Sequence, residues 1–282
     1  MAGVRDIRRR IRSVANLEQI AKAMKTIATA KLRKSRAKVI ASRPYTKEIQ
    51  EVVTRLAQAS NVEDHPFLNK RPVKTVGYLL ITSDRGLCGG YNANLIRRTN
   101  DILDEQKEAE TALVVVGRKG RDYFLKRGKK ILAYYTGLGD DPVYEQAGEI
   151  AEKVTELYLT GQLDEVHIIY SRFISALSQE PTVSKLLPLE PAPLGVQEQY
   201  ISEPPQKKIL EKLLPAYLEN RIFSALLESK TSEMGAKMTA MDSATENAKE
   251  VIRKLTLAMN RARQEAITKE ISEIVGGAAA LE

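Results

Sequence analysis

The stretch TSDRGLCGGYN, residues 82–92, gathers a carboxylate, a guanidinium and a thiol in one short glycine-rich segment. Cys88, the only cysteine of the chain, would need a base or a strongly cationic neighbourhood to form a nucleophilic thiolate. Arg85 is near in sequence, but no histidine is. We therefore interpret Cys88 as a small, inert residue, and Asp84 with Arg85 as a pair that fixes the turn.

The glycine-rich segments do not match the patterns that bind nucleotides. A phosphate-binding P-loop ends in Gly-Lys-Ser or Gly-Lys-Thr because the lysine and the hydroxyl serve the phosphates and magnesium. Here Gly90 is followed by Tyr91 and Asn92. The Gly-x-Gly-x-x-Gly spacing of dinucleotide sites is also missing, both here and in 117–122 and 137–141. The sequence therefore predicts no nucleotide cofactor.

Cysteine and histidine are too few to build a metal site or a disulfide. One cysteine excludes an internal disulfide, and the two histidines, His65 and His167, lie far apart without the spacing of zinc ligands. We expect no metal, no cofactor and no catalytic residue.

The positive charge of the chain is concentrated at its N-terminal end. The 282 residues carry a net charge of +8, and residues 1–60 hold fifteen Lys or Arg against four Asp or Glu. Such a segment attracts nucleic acid, an anionic membrane surface or an acidic protein. Tyr45 is the only aromatic residue there, whereas single-strand binding usually adds aromatic platforms. An acidic protein or a lipid headgroup is therefore favoured.

The sequence shows neither an export signal nor a membrane span. Its first twenty residues lack the apolar core of a secretory signal, and no eighteen apolar residues follow one another without charges. We expect a protein that is neither exported nor threaded through a bilayer.

The two terminal segments have the pattern of long helices. Their apolar residues recur in steps of three or four, which places them on one helical stripe. Each helix would extend roughly 80 to 90 Å, too far to be stable alone in water. We therefore predict that they pair as an antiparallel coiled coil, with a bend or local unwinding at Pro44 and Pro215. The predicted seam residues are Val4, Ile7, Ile11, Val14, Leu17, Ala21, Met24 and Ala28, and Met241, Ala244, Ala248, Val251, Leu255, Ala258 and Ala262.

The middle of the chain alternates short β-branched runs with helical stretches. This alternation predicts a small, largely parallel α/β sheet inserted between the terminal helices, with a final antiparallel hairpin. The fold class is α/β plus coiled coil. The predicted strands are 76–82, 112–117, 130–135, 165–173 and 181–191, the helices lie near 92–108, 119–127 and 142–160, and the domain segments are 1–60, 73–200 and 206–282.

Three stretches together resemble the gamma subunit of the rotary F-type ATP synthase. They are IRRRIRSVANLEQIAKAMKTIATAKL (7–32), TSDRGLCGGYN (82–92) and ITKEISEIVGGAAA (267–280). They occur in order and span nearly the whole chain. The resemblance implies a Rossmann-like topology for the α/β domain.

The resemblance further implies a central rotor shaft that couples proton-driven rotation of a membrane c ring to conformational change at catalytic beta subunits. Such a subunit has no catalysis of its own. Its implied partners are alpha and beta subunits of the hexamer, an epsilon subunit and the c ring, with no nucleic acid. It would be peripheral to the cytoplasmic face of a bacterial cell membrane.

The resemblance also implies contact residues. The implied contacts to alpha and beta are Met24, Lys25, Arg263, Gln264, Thr268 and Glu270, and those to the c ring and epsilon are Tyr200 and Glu203.

Two alternative functions do not depend on the resemblance. They are a basic coiled-coil nucleic-acid-binding protein and an enzyme that uses Cys88.

Overall fold

The computed structural model describes residues 4–59, 65–190 and 206–279, which form five helices and five strands. Described residues 4–27 and 238–279 belong to one compact unit, and those between 28 and 237 to a second. The three domain segments stay a prediction. The elements are α1 Val4–Ala59, β1 Thr75–Ile81, α2 Tyr91–Glu105, β2 Glu110–Val116, α3 Arg118–Leu125, β3 Ile131–Tyr135, α4 Tyr144–Leu159, β4 Glu165–Phe173, β5 Gln179–Leu187 and α5 Gln206–Ala279.

The second unit is built on a five-stranded sheet in the order β3-β2-β1-β4-β5. The pairs β1–β2, β1–β4 and β2–β3 are parallel, and β5 runs antiparallel to β4. In the central register Leu79 lies opposite Val114 on one side and Ile168 on the other. The predicted α/β class, the largely parallel sheet and the final hairpin are confirmed.

Both faces of this sheet are covered, which explains why its strands read as continuous apolar runs. Side chains alternate along β1: Leu79 joins a core shared with α4 and α5, and Leu80 joins the core on the α2 and α3 side. Both side chains have no exposed surface. Residues Leu210 to Leu226 of α5 complete the first core, so the last helix is part of the domain and not only of the coiled coil.

In the first unit, α1 and α5 run antiparallel. Lys25 forms an ion pair with Asp242. Glu18 lies seven residues before Lys25 on α1, and Lys249 lies seven residues after Asp242 on α5. The hydrogen bond to Glu246 raises the pKa of Lys249 most, and the negative charge of Glu18 raises it further. Moving back on one helix therefore means moving forward on the other, as predicted.

The seam of this helix pair differs from the predicted one at three positions. Leu17 is 60% exposed, Val251 is 42% exposed and Ala258 is exposed, so these three assignments were wrong. Glu18, Ile252 and Met259 occupy the half-buried positions instead. A straight helix has 3.6 residues per turn, so a stripe of residues that repeats every seven positions gradually rotates around the helix axis. After a few repeats the residue at the expected position faces outward, and its neighbour in sequence faces the partner helix.

The two prolines do not interrupt their helices. The α-helix is continuous from Val4 to Ala59 through Pro44, and from Gln206 to Ala279 through Pro215. Of the predicted bend or local unwinding, the unwinding was therefore wrong, and the bend stays a prediction. Proline removes one N–H donor, but its fixed φ is close to the helical value, and packing along the rest of a long helix outweighs one lost hydrogen bond.

We predict that Gly117→Ala destabilises the chain far more than Gly128→Ala. Gly117 has a φ of 94°, and a Cβ there would lie 2.2 Å from the carbonyl oxygen of Thr82. Strain and overlap together should lower the free energy of unfolding by about 3 kcal/mol or more. Gly128 also has a positive φ, but a Cβ would meet nothing within 4 Å, so about 1 kcal/mol is expected. Urea unfolding of both variants measures the difference, and equal losses would contradict the prediction.

Candidate functional site

The loop between β1 and α2 lies at the carboxyl edge of the sheet, where open α/β folds place ligands. Its first residue, Thr82, is 6% exposed. The Thr82 hydroxyl donates to the carbonyl oxygen of Val116 at 2.9 Å and accepts from the N–H of Gly120 at 3.0 Å. A Cβ on Gly120 would lie 2.8 Å from that hydroxyl, so this glycine permits the close approach of α3. The contact locks the turn to the neighbouring strand.

Cys88 lies at the centre of this loop and is 2% exposed. Asn92 donates from its amide nitrogen to Cys88 Sγ at 3.2 Å and to Ser83 Oγ at 2.8 Å. Burial raises the pKa of the Cys88 thiol, and the charge of Glu233 raises it further. A thiol in this environment stays protonated and is a poor nucleophile. The geometry supports the interpretation of Cys88 as a packing residue.

Asp84 ties three loops together through backbone amides. One carboxylate oxygen accepts from the N–H of Arg118 at 2.9 Å, and the other accepts from the N–H of Gly137, also at 2.9 Å. Asp84 does hold the turn, as predicted, but it does not pair with the side chain of Arg85. Its partners are backbone amides of the next two loops. This carboxylate is already engaged and is not placed as a general base.

Helix α5 fills the crevice between β1 and β4, where the strand order reverses. Ser232 Oγ donates to the carbonyl oxygen of Ser171 at 2.9 Å, and Ser229 Oγ accepts from the N–H of Ser171 at 3.3 Å. The buried hydroxyl of Tyr91 also contacts Ser229 Oγ at 3.2 Å. The cavity left between α5 and the loop that begins at Thr82 measures about 40 Å³, far below the 300–1,000 Å³ typical of ligand pockets.

Part of the basic face of α1 is neutralised within the chain. Lys34 and Lys38 both pair with Asp141, the former at 2.9 Å, and Lys31 pairs with Asp140. These lysines belong to the basic segment 1–60, for which an acidic protein or a lipid headgroup was favoured as partner. For the three lysines the acidic loop 137–141 supplies counter-charges within the chain, and the external partner of the segment stays a prediction. Two adjacent aspartates after a glycine turn, with lysines at 31, 34 and 38, were the signal that pattern analysis missed.

The predicted contact residues near the start of α1 lie in the antiparallel pair. Met24 is half-buried, and Lys25 pairs with Asp242. A second apolar stripe lies one position before the seam, formed by Leu17, Ile20 and Ile27, each more than half exposed. The structure therefore leaves apolar surface on this helix that its partner helix does not cover.

The last part of α5 is exposed on all sides. Every residue from Arg263 to Gly276 is exposed, including the predicted contacts Gln264, Thr268 and Glu270. Their neighbours form an apolar stripe, and steps of four and three residues place its members on one helical face. Its members are Ile267, Ile271, Ile274 and Val275, which are 48–69% exposed.

Two of the predicted contacts, Tyr200 and Glu203, lie outside the described residues. Among residues 4–59, 65–190 and 206–279, no cluster of three His, Cys, Asp or Glu side chains has a geometry able to hold a metal ion. Within the same ranges, no helix combines the length and apolar character that crossing a bilayer requires.

Comparison with known proteins gives matches over the whole sequence. A family model described as ATP synthase matches residues 3–281. The ATP synthase gamma chain of Desulfitobacterium hafniense is 59% identical over 283 residues and is covered completely, as is this chain. That of Heliobacterium modesticaldum is 55% identical over 292 residues, again with complete coverage of both chains.

Solved structures show the same fold. A chain of the Euglena gracilis mitochondrial ATP synthase in rotational state 3 superposes with a TM-score of 0.71 and 20% identity, covering 99% of this chain and 94% of its own. A chain from the central stalk and c ring of the Tetrahymena thermophila enzyme gives a TM-score of 0.62 at 22% identity, covering 80% and 99%. At these identities the likeness concerns the fold.

We predict that Cys88 in the folded chain reacts with iodoacetamide at pH 8 at least ~100-fold more slowly than in the urea-unfolded chain. Burial denies the reagent access and keeps the sulfur protonated. Mass spectrometry of the alkylated protein over time measures both rates. A Leu177→Cys variant is the control, since Leu177 is 82% exposed and a thiol there should react rapidly. Equal rates at the two positions would contradict a buried, inert Cys88.

Proposed function

The chain belongs to the ATP synthase gamma chain family, and from that premise we propose that it acts as a rotor shaft without catalytic chemistry of its own. In this role, rotation of the shaft driven by a proton-translocating membrane ring changes which conformation of each catalytic subunit has the lowest free energy. The proposed partners are alpha and beta subunits of a catalytic hexamer, an epsilon subunit and the c ring. We place the chain at the cytoplasmic face of a bacterial cell membrane, as a peripheral subunit.

The observation that carries this proposal is the exposed end of α5. Residues 263–276 have no covering partner among the described residues, yet they carry an apolar stripe on one face and polar groups beside it. Exposed apolar surface of this kind is typical of a protein contact. A surrounding collar of subunits would bury it. Arg263, Gln264, Thr268 and Glu270 are the polar groups that we assign to the contacts with alpha and beta.

The absence of catalysis is supported by the carboxyl edge of the sheet. The thiol of Cys88 is buried, the carboxylate of Asp84 is engaged by backbone amides, and α5 leaves a cavity of only about 40 Å³ beside the loop that begins at Thr82. The contacts of Met24 and Lys25 with beta, and those of Tyr200 and Glu203 with epsilon and the c ring, remain part of the proposal. The nucleic-acid-binding alternative gains no support from the relatives.

The direct test combines an ATPase assay of the purified chain with affinity capture of its partners. The chain alone should not hydrolyse ATP, and affinity capture from cells of its source should recover alpha, beta and epsilon subunits in fixed proportion. Hydrolysis by the pure chain would refute the non-catalytic role. Recovery of nucleic acid in place of these subunits, with an affinity that falls steeply with salt, would instead establish the alternative.

We predict that Ile274→Asp impairs assembly with alpha and beta without destabilising the free chain. Ile274 is 69% exposed, so its replacement should change the free energy of unfolding by less than about 0.5 kcal/mol. Burying the new carboxylate in an apolar contact should weaken association at least ~tenfold. Titration of the assembled hexamer with labelled chain measures the affinity. The matched control is Leu125→Asp on α3, where the side chain is 52% exposed. If both variants bind equally, the stripe is not the contact.

A further inference from the structure

We propose that Asp140 and Asp141 are positioning residues that transmit torque from the α/β sheet to both terminal helices, an inference that rests on the proposed rotor function. The two carboxylates lie in loop 137–141, between β3 and α4. Each of them engages two lysines. We name this group of contacts the charge tie.

The charge tie joins α1 to α5 through a single side chain. One oxygen of Asp140 pairs with Lys31 on α1, and the other pairs with Lys230 on α5 at 3.0 Å. Asp141 adds a second hold on α1 through Lys34 and Lys38. These lysines stand at steps of three and four residues and therefore share one face of the helix.

On α5 the charge tie continues below the surface. Lys230 also pairs with Glu233 at 3.0 Å, and Glu233 pairs with Lys237 at 3.2 Å. The side chain of Glu233 is only 5% exposed, and those of Lys230 and Lys237 are each 12% exposed. Ion pairs at this depth are screened by salt much less than exposed ones. Lys230, the residue of α5 that pairs with Asp140, is therefore held in place by its buried pair with Glu233.

The loop is fixed to the sheet at its other end. Gly137 donates its N–H to Asp84, which also holds the amide of Arg118. Gln146 of α4 donates to the carbonyl oxygen of Leu138 at 3.3 Å. A displacement of the sheet is thus passed to the loop through hydrogen bonds, and from the loop to both helices through ion pairs.

The charge tie grips a part of α1 that the apolar core of the sheet does not include. The core residues contributed by α1 are Ile49 and Val53, several turns beyond Lys38, whereas α5 contributes a long run ending at Leu226. In that core α5 packs over many turns and α1 only near its end, although Leu32 and Val39 of α1 are also buried outside it. The three lysines add ion pairs to the loop over two turns of α1.

The protonation state of the aspartates keeps the charge tie intact at neutral pH. The hydrogen bond from Lys31 lowers the pKa of Asp140, with further contributions from Lys230, and Lys34 and Lys38 lower that of Asp141. A carboxyl group with a lowered pKa stabilises the folded state above its unfolded pKa and loses that effect only as the pH falls through the folded value. Salt is the appropriate perturbation, because it screens the exposed pairs of Lys31, Lys34 and Lys38 with the two aspartates.

The test uses the double variant D140N/D141N in the full chain and in the assembled ATP synthase. We expect amide hydrogen exchange at 137–141 to become about tenfold faster. In vesicles, the number of protons pumped per ATP hydrolysed should fall to about half, while unloaded hydrolysis stays near that of the wild type. High salt should accelerate exchange in the wild type more than in the variant.

Two further variants make the result decisive. E156Q removes the exposed pair Lys153–Glu156 on α4 and should change neither measurement. The charge reversal K34D/K38D/D141K restores opposite charges at the tie and should recover most of the coupling that D141K alone loses.

The outcomes separate the charge tie from the rotor function. Unchanged exchange in D140N/D141N overturns the tie, and faster exchange with unchanged coupling overturns its role in torque. Failure of the wild-type chain to pump or assemble with alpha, beta and epsilon would instead refute the proposed function itself.

Discussion

The structure depends on one constraint: two very long helices must each bury a stripe along their length. Helix α1 has 56 residues and α5 has 74, and helices of this kind gain their stability from packing rather than from intrinsic propensity. Helix α5 meets the constraint in two ways. Its first part packs on the sheet, and the next part pairs with α1 in an antiparallel seam. Past Arg263 no described residue covers it.

The same constraint explains why one of the chain's own helices packs into the crevice of this Rossmann-like sheet. Open parallel sheets leave a crevice at the point where the strand order reverses, and many folds bind nucleotides there. In this chain α5 needs a surface to pack on and takes that crevice. Ser229 accepts a hydrogen bond from the N–H of Ser171, and Ser232 donates one to its carbonyl oxygen. Fold and activity are separate properties, because one architecture can hold a ligand or one of its own helices.

The sequence predicts the elements well because their signals are local. Runs of β-branched residues and helical periodicity place all five strands within a few residues, and the antiparallel pairing follows from helix length. The predicted seam was wrong at Leu17, Val251 and Ala258, since steps of three and four residues do not decide between neighbouring positions. The partners of Asp84, and the pairing of Lys31 with Asp140, join residues far apart in the chain. No local pattern specifies such contacts.

The mixed character of the exposed end of α5 bears on the proposed rotor function. Three isoleucines fully buried in one orientation would contribute about 5–8 kcal/mol, which would hold the shaft in a single deep energy minimum. Instead Ile267, Ile271 and Ile274 are interspersed with Thr268 and Glu270. Polar side chains that keep hydrogen bonds to water or to successive partners reduce the difference between orientations. A shaft that must leave each position needs contacts that are complementary yet individually weak, and an alternation of apolar and polar groups on an exposed helix meets both requirements.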